Sequence, residues 1–160
     1  MTDALLTVAS PVFTIGGKAI GDLARDCVRL IVDEGVEGLR TMEAHFIASG
    51  IGNPGPPGPM LHVDGSEFDF GTDIEVALGA DGDQFVVFDG AVSGIEVVLG
   101  DSEPPRVVML AEDRLMRLRM TRRMRTYTDI TDAELVRRIA QEHGLDADVS
   151  ADGPRYDVLQ

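Results

Sequence analysis

The strongest structural signals lie in one segment, Arg114 to Leu145, which reads RLMRLRMTRRMRTYTDITDAELVRRIAQEHGL. Thr131 and Glu134 have the spacing of a capping box, in which the two side chains satisfy free amides at the start of a helix. An apolar stripe follows at helical spacing, and Gly144 is the residue type that ends helices. The sequence therefore predicts an amphipathic helix over 132–143.

Ahead of this helix the same segment is strongly basic. Its first twelve residues contain six arginines with only Leu, Met and one Thr between them; this arginine strip is Arg114, Arg117, Arg119, Arg122, Arg123 and Arg125. Leu115 and Leu118 allow one helical turn, and Met120 to Tyr127 could be extended. The apolar residues between the arginines indicate a strip that packs on a core.

The strip contrasts with the rest of the chain, whose net charge is −14. Residues 1–113 hold 20 acidic and 5 basic residues, whereas residues 114–160 hold 8 and 9. Such asymmetry favours contacts between subunits, with the arginines facing acidic side chains. Nucleic-acid binding through phosphate contacts is the alternative, but no aromatic side chains alternate with the arginines to stack on bases.

The composition is that of a folded protein, with 160 residues, 44% hydrophobic and 26% charged. We expect no membrane span, because no apolar run of about 18 residues occurs. The first ten residues have no basic region and carry Asp3, so they are not a secretion signal. Cys27 has no second cysteine to pair with, which fits a reducing compartment and a buried or half-buried side chain.

Upstream of the strip, short apolar or alternating runs separated by turn residues predict an antiparallel β fold, a small barrel or sandwich. The predicted strands are Pro11–Ile15, Leu23–Asp33, Leu39–Ala48, Met60–Val63, Asp73–Leu78, Phe85–Phe88, Ala91–Leu99 and Arg106–Leu110, with another from Arg155 to Gln160. The predicted fold class is mainly β (α+β), a small β-barrel with one C-terminal amphipathic helix.

Three regions are expected along the chain. A flexible leader covers 1–10. A β-barrel-like domain covers 11–113 and includes a loop rich in glycine and proline at 49–59. The region 114–160 holds the arginine strip, the helix and the start of a further strand. Because that strand has no turn after it, the sequence is expected to be one part of a larger protein, either truncated or encoded by a split gene.

No catalytic, cofactor or metal site is predicted. The histidines, His45, His62 and His143, are scattered and have no second ligand at metal-binding spacing. The segment Asp81-Gly82-Asp83 indicates a hairpin turn, since the remaining ligands of a calcium loop are missing. Acidic residues are so numerous that no pair can be selected as the carboxylates of a hydrolase.

Several segments resemble the phage late control protein D family, which includes the VgrG-type hub and spike proteins of contractile tails and injection systems. Ala111 stands where this family would have glycine, the loop at 49–59 looks like an insertion, and family members continue into a second barrel. The segments that carry the resemblance are Val86–Gly90, Val108–Asp113, Leu115–Leu118, Arg122–Tyr127, Asp132–Leu145 and Tyr156–Gln160.

This resemblance implies a structural role without catalysis or cofactors. The family's hubs are trimers whose paired barrels join a hexameric inner tube to a threefold spike. The expected partners are therefore further copies of the chain and the tail-tube, spike and baseplate proteins. Assembly would take place in the cytoplasm, and the protein would then be part of a virion or injection particle. Two alternatives remain: a nucleic-acid-binding module that uses the strip, and a small tail-associated hydrolase.

Overall fold

The computed structural model describes residues 10–36, 38–49, 60–80, 82–101, 103–150 and 152–160. The predicted leader at 1–10, apart from Ser10, and the predicted loop at 49–59, apart from Ser49, lie outside the described residues. The chain divides between Asp113 and Arg114 into two compact units, named here the N-terminal unit and the C-terminal unit.

The described residues form nine strands and three helices. In chain order these are β1 Val12–Ile15, β2 Lys18–Ala19, α1 Gly21–Asp26, β3 Cys27–Asp33, β4 Thr41–Ile47, β5 Asp73–Ala80, β6 Asp83–Val98, β7 Arg106–Asp113, α2 Met116–Arg119, β8 Tyr127–Thr131, α3 Asp132–Glu142 and β9 Arg155–Leu159.

The N-terminal unit is a seven-stranded antiparallel sheet with the order β2-β1-β5-β6-β7-β4-β3. The prediction of a mainly β fold is confirmed. The predicted closed barrel is not found, because among the described strands no ladder joins the two edge strands, β2 and β3. Helix α1 connects these edges and packs against both β1 and β4.

Strand β4 shows why the sheet has one buried face. Met42, Ala44 and Phe46 are buried, while the residues between them are more exposed, which is the alternation that the sequence predicts. The core continues across the neighbouring strands, where Phe13 and Phe88 are fully buried. Phe68, from the irregular segment before β5, covers this core beside Phe46, at a ring-centroid distance of 6.3 Å.

Strand β6 is a single strand of 16 residues, whereas the sequence predicted two strands with a kink at Asp89-Gly90. Its first half pairs with β5 and its second half with β7. Gly90 lies inside the strand, at a position where there is no room for a side chain. A Cβ would lie 2.2 Å from the Glu112 carbonyl oxygen and 2.7 Å from the Phe88 ring. The glycine therefore allows close packing and does not end the strand.

Two other strand predictions were wrong. Leu23 to Asp26 belongs to α1, because burying Leu23 in the core favours a short helix over an extended start of β3. Met60 to Val63 contains turns and no strand, and His62 has a positive φ of 63°, which is outside the β region. Side-chain contacts, described below, hold His62 in this conformation.

The C-terminal unit consists of the antiparallel pair β8–β9 with α2 and α3. The capping box is confirmed: the Thr131 hydroxyl accepts from the Glu134 amide at 3.2 Å, and the Glu134 carboxylate accepts from the Thr131 amide at 2.9 Å. Helix α3 ends at Glu142, one residue before the predicted end, and Gly144 follows with φ 67°. No helix in the described ranges is long and apolar enough to cross a bilayer.

Candidate subunit interface

The six arginines of the strip are all exposed. Arg117 and Arg119 belong to α2, and Arg114 lies in the turn just ahead of it. The other three lie in the stretch between α2 and β8. The predicted helical turn around Leu115 and Leu118 is confirmed as α2. The stretch from Thr121 to Thr126 forms neither helix nor strand, and all six residues are exposed.

The arginines differ in their partners. Arg125 donates to the Glu142 carboxylate at 2.5 Å, and the side chains of Tyr127 and Glu142 raise the pKa of Arg125. Within the described parts of the chain, no ion pair or side-chain hydrogen bond is found for Arg119, Arg122 or Arg123. Three positive charges are therefore available to a partner.

These arginines border a groove of about 700 Å³ in the C-terminal unit. Its apolar lining includes Tyr127, Leu135, Ile139 and Leu159, which are only half-buried. Met124, at the rim, is 86% exposed. The charged side chains around the groove are four arginines and one glutamate, a net charge of +3, and they are Arg119, Arg122, Arg123, Arg125 and Glu142.

Several acidic residues elsewhere in this unit are paired with arginines outside the groove. Arg155 binds Asp129 at 3.2 Å and Glu134 at 3.0 Å, and it also donates to the Asp129 carbonyl oxygen. Arg137 lies 3.8 Å from Asp152. None of these residues lines the groove, so the pairs do not offset its net charge of +3.

A second polar cluster lies in the N-terminal unit, around His62. The His62 side chain is 2% exposed, and its Nε2 lies 2.9 Å from the Asp26 carboxylate. Its Nδ1 contacts the Glu67 carboxylate. Arg25 binds Asp26 through two nitrogens, each at 2.7 Å. The hydrogen bonds from Arg25, and then those from His62, lower the pKa of Asp26.

His62 looks isolated in the sequence because its partner Asp26 is 36 residues away, so this cluster was not predicted. Both ring nitrogens face carboxylates and almost none of the ring is exposed, so His62 cannot act as a base on a bound substrate. Its role is to hold the irregular segment before β5 against α1.

The described residues contain no group of His, Cys, Asp and Glu side chains suited to a metal ion. Cys27 is half-buried, and burial raises the pKa of its thiol. A raised pKa keeps the thiol protonated, which disfavours nucleophilic chemistry. The groove rimmed by arginines is therefore the strongest candidate for a functional surface.

Comparison with known proteins gives one matching family and a fold shared with solved structures. Residues 61–159 match the family model described as the Alg8 N-terminal domain. No curated protein matches the chain in sequence. Among solved structures, the chain is similar to the 43 kDa tail protein of prophage MuSo2 from Shewanella oneidensis, with a TM-score of 0.66, 13% identity and 94% of this chain covered.

A second similar structure is an E. coli protein described as a component of the type VI secretion system with structural similarity to the T4 bacteriophage tail proteins gp27 and gp5. Its TM-score is 0.57, with 15% identity over 92% of this chain. This chain spans only 43% and 38% of the two relatives. The resemblance to tail hub proteins predicted from the sequence is confirmed as a similarity of fold.

Proposed function

We propose that this chain, which belongs to the family of the Alg8 N-terminal domain, is a structural component of a phage-tail-like particle, the hub or spike base that joins the inner tube to the spike. The observation that carries the proposal is the fold shared with a phage tail protein over 94% of the chain. In this role the protein has no catalytic step, and its partners are its own copies and the tube, spike and baseplate proteins.

The proposal includes a barrel-like N-terminal unit. Strands β1 and β4 are near opposite ends of the sheet order, yet α1 packs against both of them. The sheet is therefore curled, with its core on the inner face. Its outer face can contact neighbouring subunits in a ring while the core stays buried. In the proposed trimer, each of the three subunits would contribute this unit and a second barrel, as in the paired barrels of the family's hubs. These barrels would surround the axis of the tube.

The arginine strip is proposed as the subunit interface, where it pairs with acidic side chains of an adjacent chain. Support comes from the exposure of the six arginines and from the net charge of +3 at the groove in a chain of net charge −14. Charge pairs of this kind speed association and select the partner more than they add to affinity, and salt weakens them. The protein would assemble in the cytoplasm and then remain in the particle.

The test is the mass in solution, by light scattering coupled to size exclusion, at low and high salt. A trimer has three times the 17.2 kDa of the monomer. Replacing Arg122 and Arg123 by glutamate is expected to reduce assembly and leave the circular dichroism spectrum unchanged. The matched control makes the same charge change at exposed Lys18 and Arg29 and is expected to assemble as the wild type does.

One observation favours a second function, nucleic-acid binding: Arg119, Arg122 and Arg123 have no ion pair within the described residues. Three phosphate contacts would make the logarithm of the binding constant fall with the logarithm of salt concentration at a slope of about −3. Binding of duplex DNA with this slope, abolished by the Arg122 and Arg123 reversals, would support it. No measurable binding at low salt would exclude it.

A further inference from the structure

The end of β5 and the start of β6 form a two-stranded arm, composed of Leu78–Ala80 and Asp83–Phe85. The ladder between β1 and β5 ends at Ala77, and the ladder between β6 and β7 begins at Gly90. Within the described residues, the two strands of the arm therefore pair only with each other. Two strands without further support are marginally stable, and their free edges are ready to meet another surface.

The arm carries an exposed apolar side chain next to an acidic one. Phe85 is 61% exposed, and Val86 beside it is also exposed. Asp83 begins β6 and is exposed, and Glu75 is exposed further along β5. An exposed aromatic ring beside a carboxylate can bury apolar surface and pair a charge in the same contact.

The groove of the C-terminal unit has the complementary chemistry. The apolar part of its lining is only half-buried, so further burial there is favourable, and its rim is positively charged. The arm offers an aromatic ring with a carboxylate two residues before it. Both features belong to the same chain, and the N-terminal unit that carries the arm is strongly acidic.

We infer that the occupant of the groove is the arm of a second copy of this chain, with Phe85 on the apolar lining and Asp83 facing Arg122 and Arg123. The inference rests on the proposed function, in which the chain assembles through the arginine strip. It identifies the arm as the surface that contacts the strip in the neighbouring copy. Because arm and groove are different surfaces, the contact is head-to-tail, and such contacts close into rings or continue as filaments.

The test uses two variants that each damage one side of the contact. The arm variant is Asp83→Lys with Phe85→Ser, and the groove variant is Arg122→Glu with Arg123→Glu. Each alone is expected to need at least about a tenfold higher concentration to assemble. An equal mixture retains one intact arm and one intact groove, so a species of twice 17.2 kDa, and no larger one, is expected by light scattering.

Phe70→Ser is the matched control, because Phe70 is 66% exposed but belongs neither to the arm nor to the lining of the groove. It should assemble as the wild type does. Normal assembly of the arm variant beside a monomeric groove variant would overturn this inference and leave the proposed arginine interface standing. A wild-type chain that is monomeric at all concentrations would overturn both, and a mixture that stays monomeric would overturn the arm contact.

Discussion

Phe13 in β1 and Phe46 in β4 meet edge to face, with ring centroids 5.3 Å apart, although three strands lie between β1 and β4 in the sheet. In a flat sheet the same two strands would be about 19 Å apart, at about 4.8 Å for each step. The sheet therefore curls until its distant strands share one core. Edge-to-face packing of two aromatic rings stabilises this closure beyond the burial of their surface.

Replacing Phe46 by alanine is expected to lower the free energy of unfolding by about 3–5 kcal/mol, because it leaves a cavity where three elements meet. Phe46 also contacts Phe68 and His62, so the surroundings cannot collapse easily into the space. Urea denaturation measures the change. Phe70→Ala is the control, with an expected change within about 0.5 kcal/mol, since that ring is exposed.

Gly90→Ala is expected to destabilise the N-terminal unit by at least about 1–3 kcal/mol, because the new Cβ collides with the backbone of Glu112. The neighbouring strand would have to move, and the β6–β7 ladder begins at this point. Gly100→Ala is the comparison, because a Cβ there is 4.0 Å from its nearest neighbour. Equal thermal stability of the two variants would contradict the role given to Gly90.

Thr131→Ala removes the side chain that caps α3 and is expected to cost about 1 kcal/mol. The Glu134 amide then loses its acceptor, and the first turn of the helix should open more often. Hydrogen exchange of the amides in α3 is the direct measurement. Thr131→Ser keeps the hydroxyl and should retain most of the protection, whereas equal exchange in both variants would mean that the cap contributes little.

The cluster around Asp26 predicts a loss of stability in acid. Its pKa in the folded protein lies below its ordinary value of 3.8. The carboxylate therefore contributes stability that is present above that ordinary value and is lost as the pH falls through the lower folded pKa. Asp26→Asn should be less stable than the wild type at pH 7, by about 1–3 kcal/mol, because His62 and Arg25 lose an ionised partner.

Unfolding in urea at several pH values separates this effect from a simple packing defect. The difference between wild type and Asp26→Asn is expected to shrink as the pH falls from neutral into the acid range, since the wild-type carboxylate becomes protonated there. Glu75→Gln, at an exposed site, is the control. A difference that stays constant with pH would assign the destabilisation to packing alone.

Features with a local origin could be predicted from the sequence. The alternation of Met42, Ala44 and Phe46 follows from one buried and one exposed face of the sheet, and it is independent of the strand order. The capping box at Thr131 is likewise formed by residues within one turn. The arginine strip is an exception, because its apolar residues were expected to pack on a core, whereas Leu118, Met120 and Met124 are exposed.

The remaining features depend on residues that are distant in the sequence. Leu23 lies in a helix because this conformation buries its side chain in the core, which is built from strands distant in the sequence. Gly90 looked like a strand break, but its neighbour Glu112 is supplied by β7. His62 meets Asp26 only after the sheet has formed. The groove was also beyond prediction, since its lining combines residues of α3, β9 and the stretch between α2 and β8.

The two ladders of β6 have a mechanical consequence. They overlap only at Gly90 and Ala91, so β6 is one continuous strand that is bonded to β5 along its first half and to β7 along its second half. A pull along this strand loads the hydrogen bonds of each ladder in shear, side by side, and does not peel them apart one after another. Tension that enters at the tip of β6 is therefore carried along one backbone into β7.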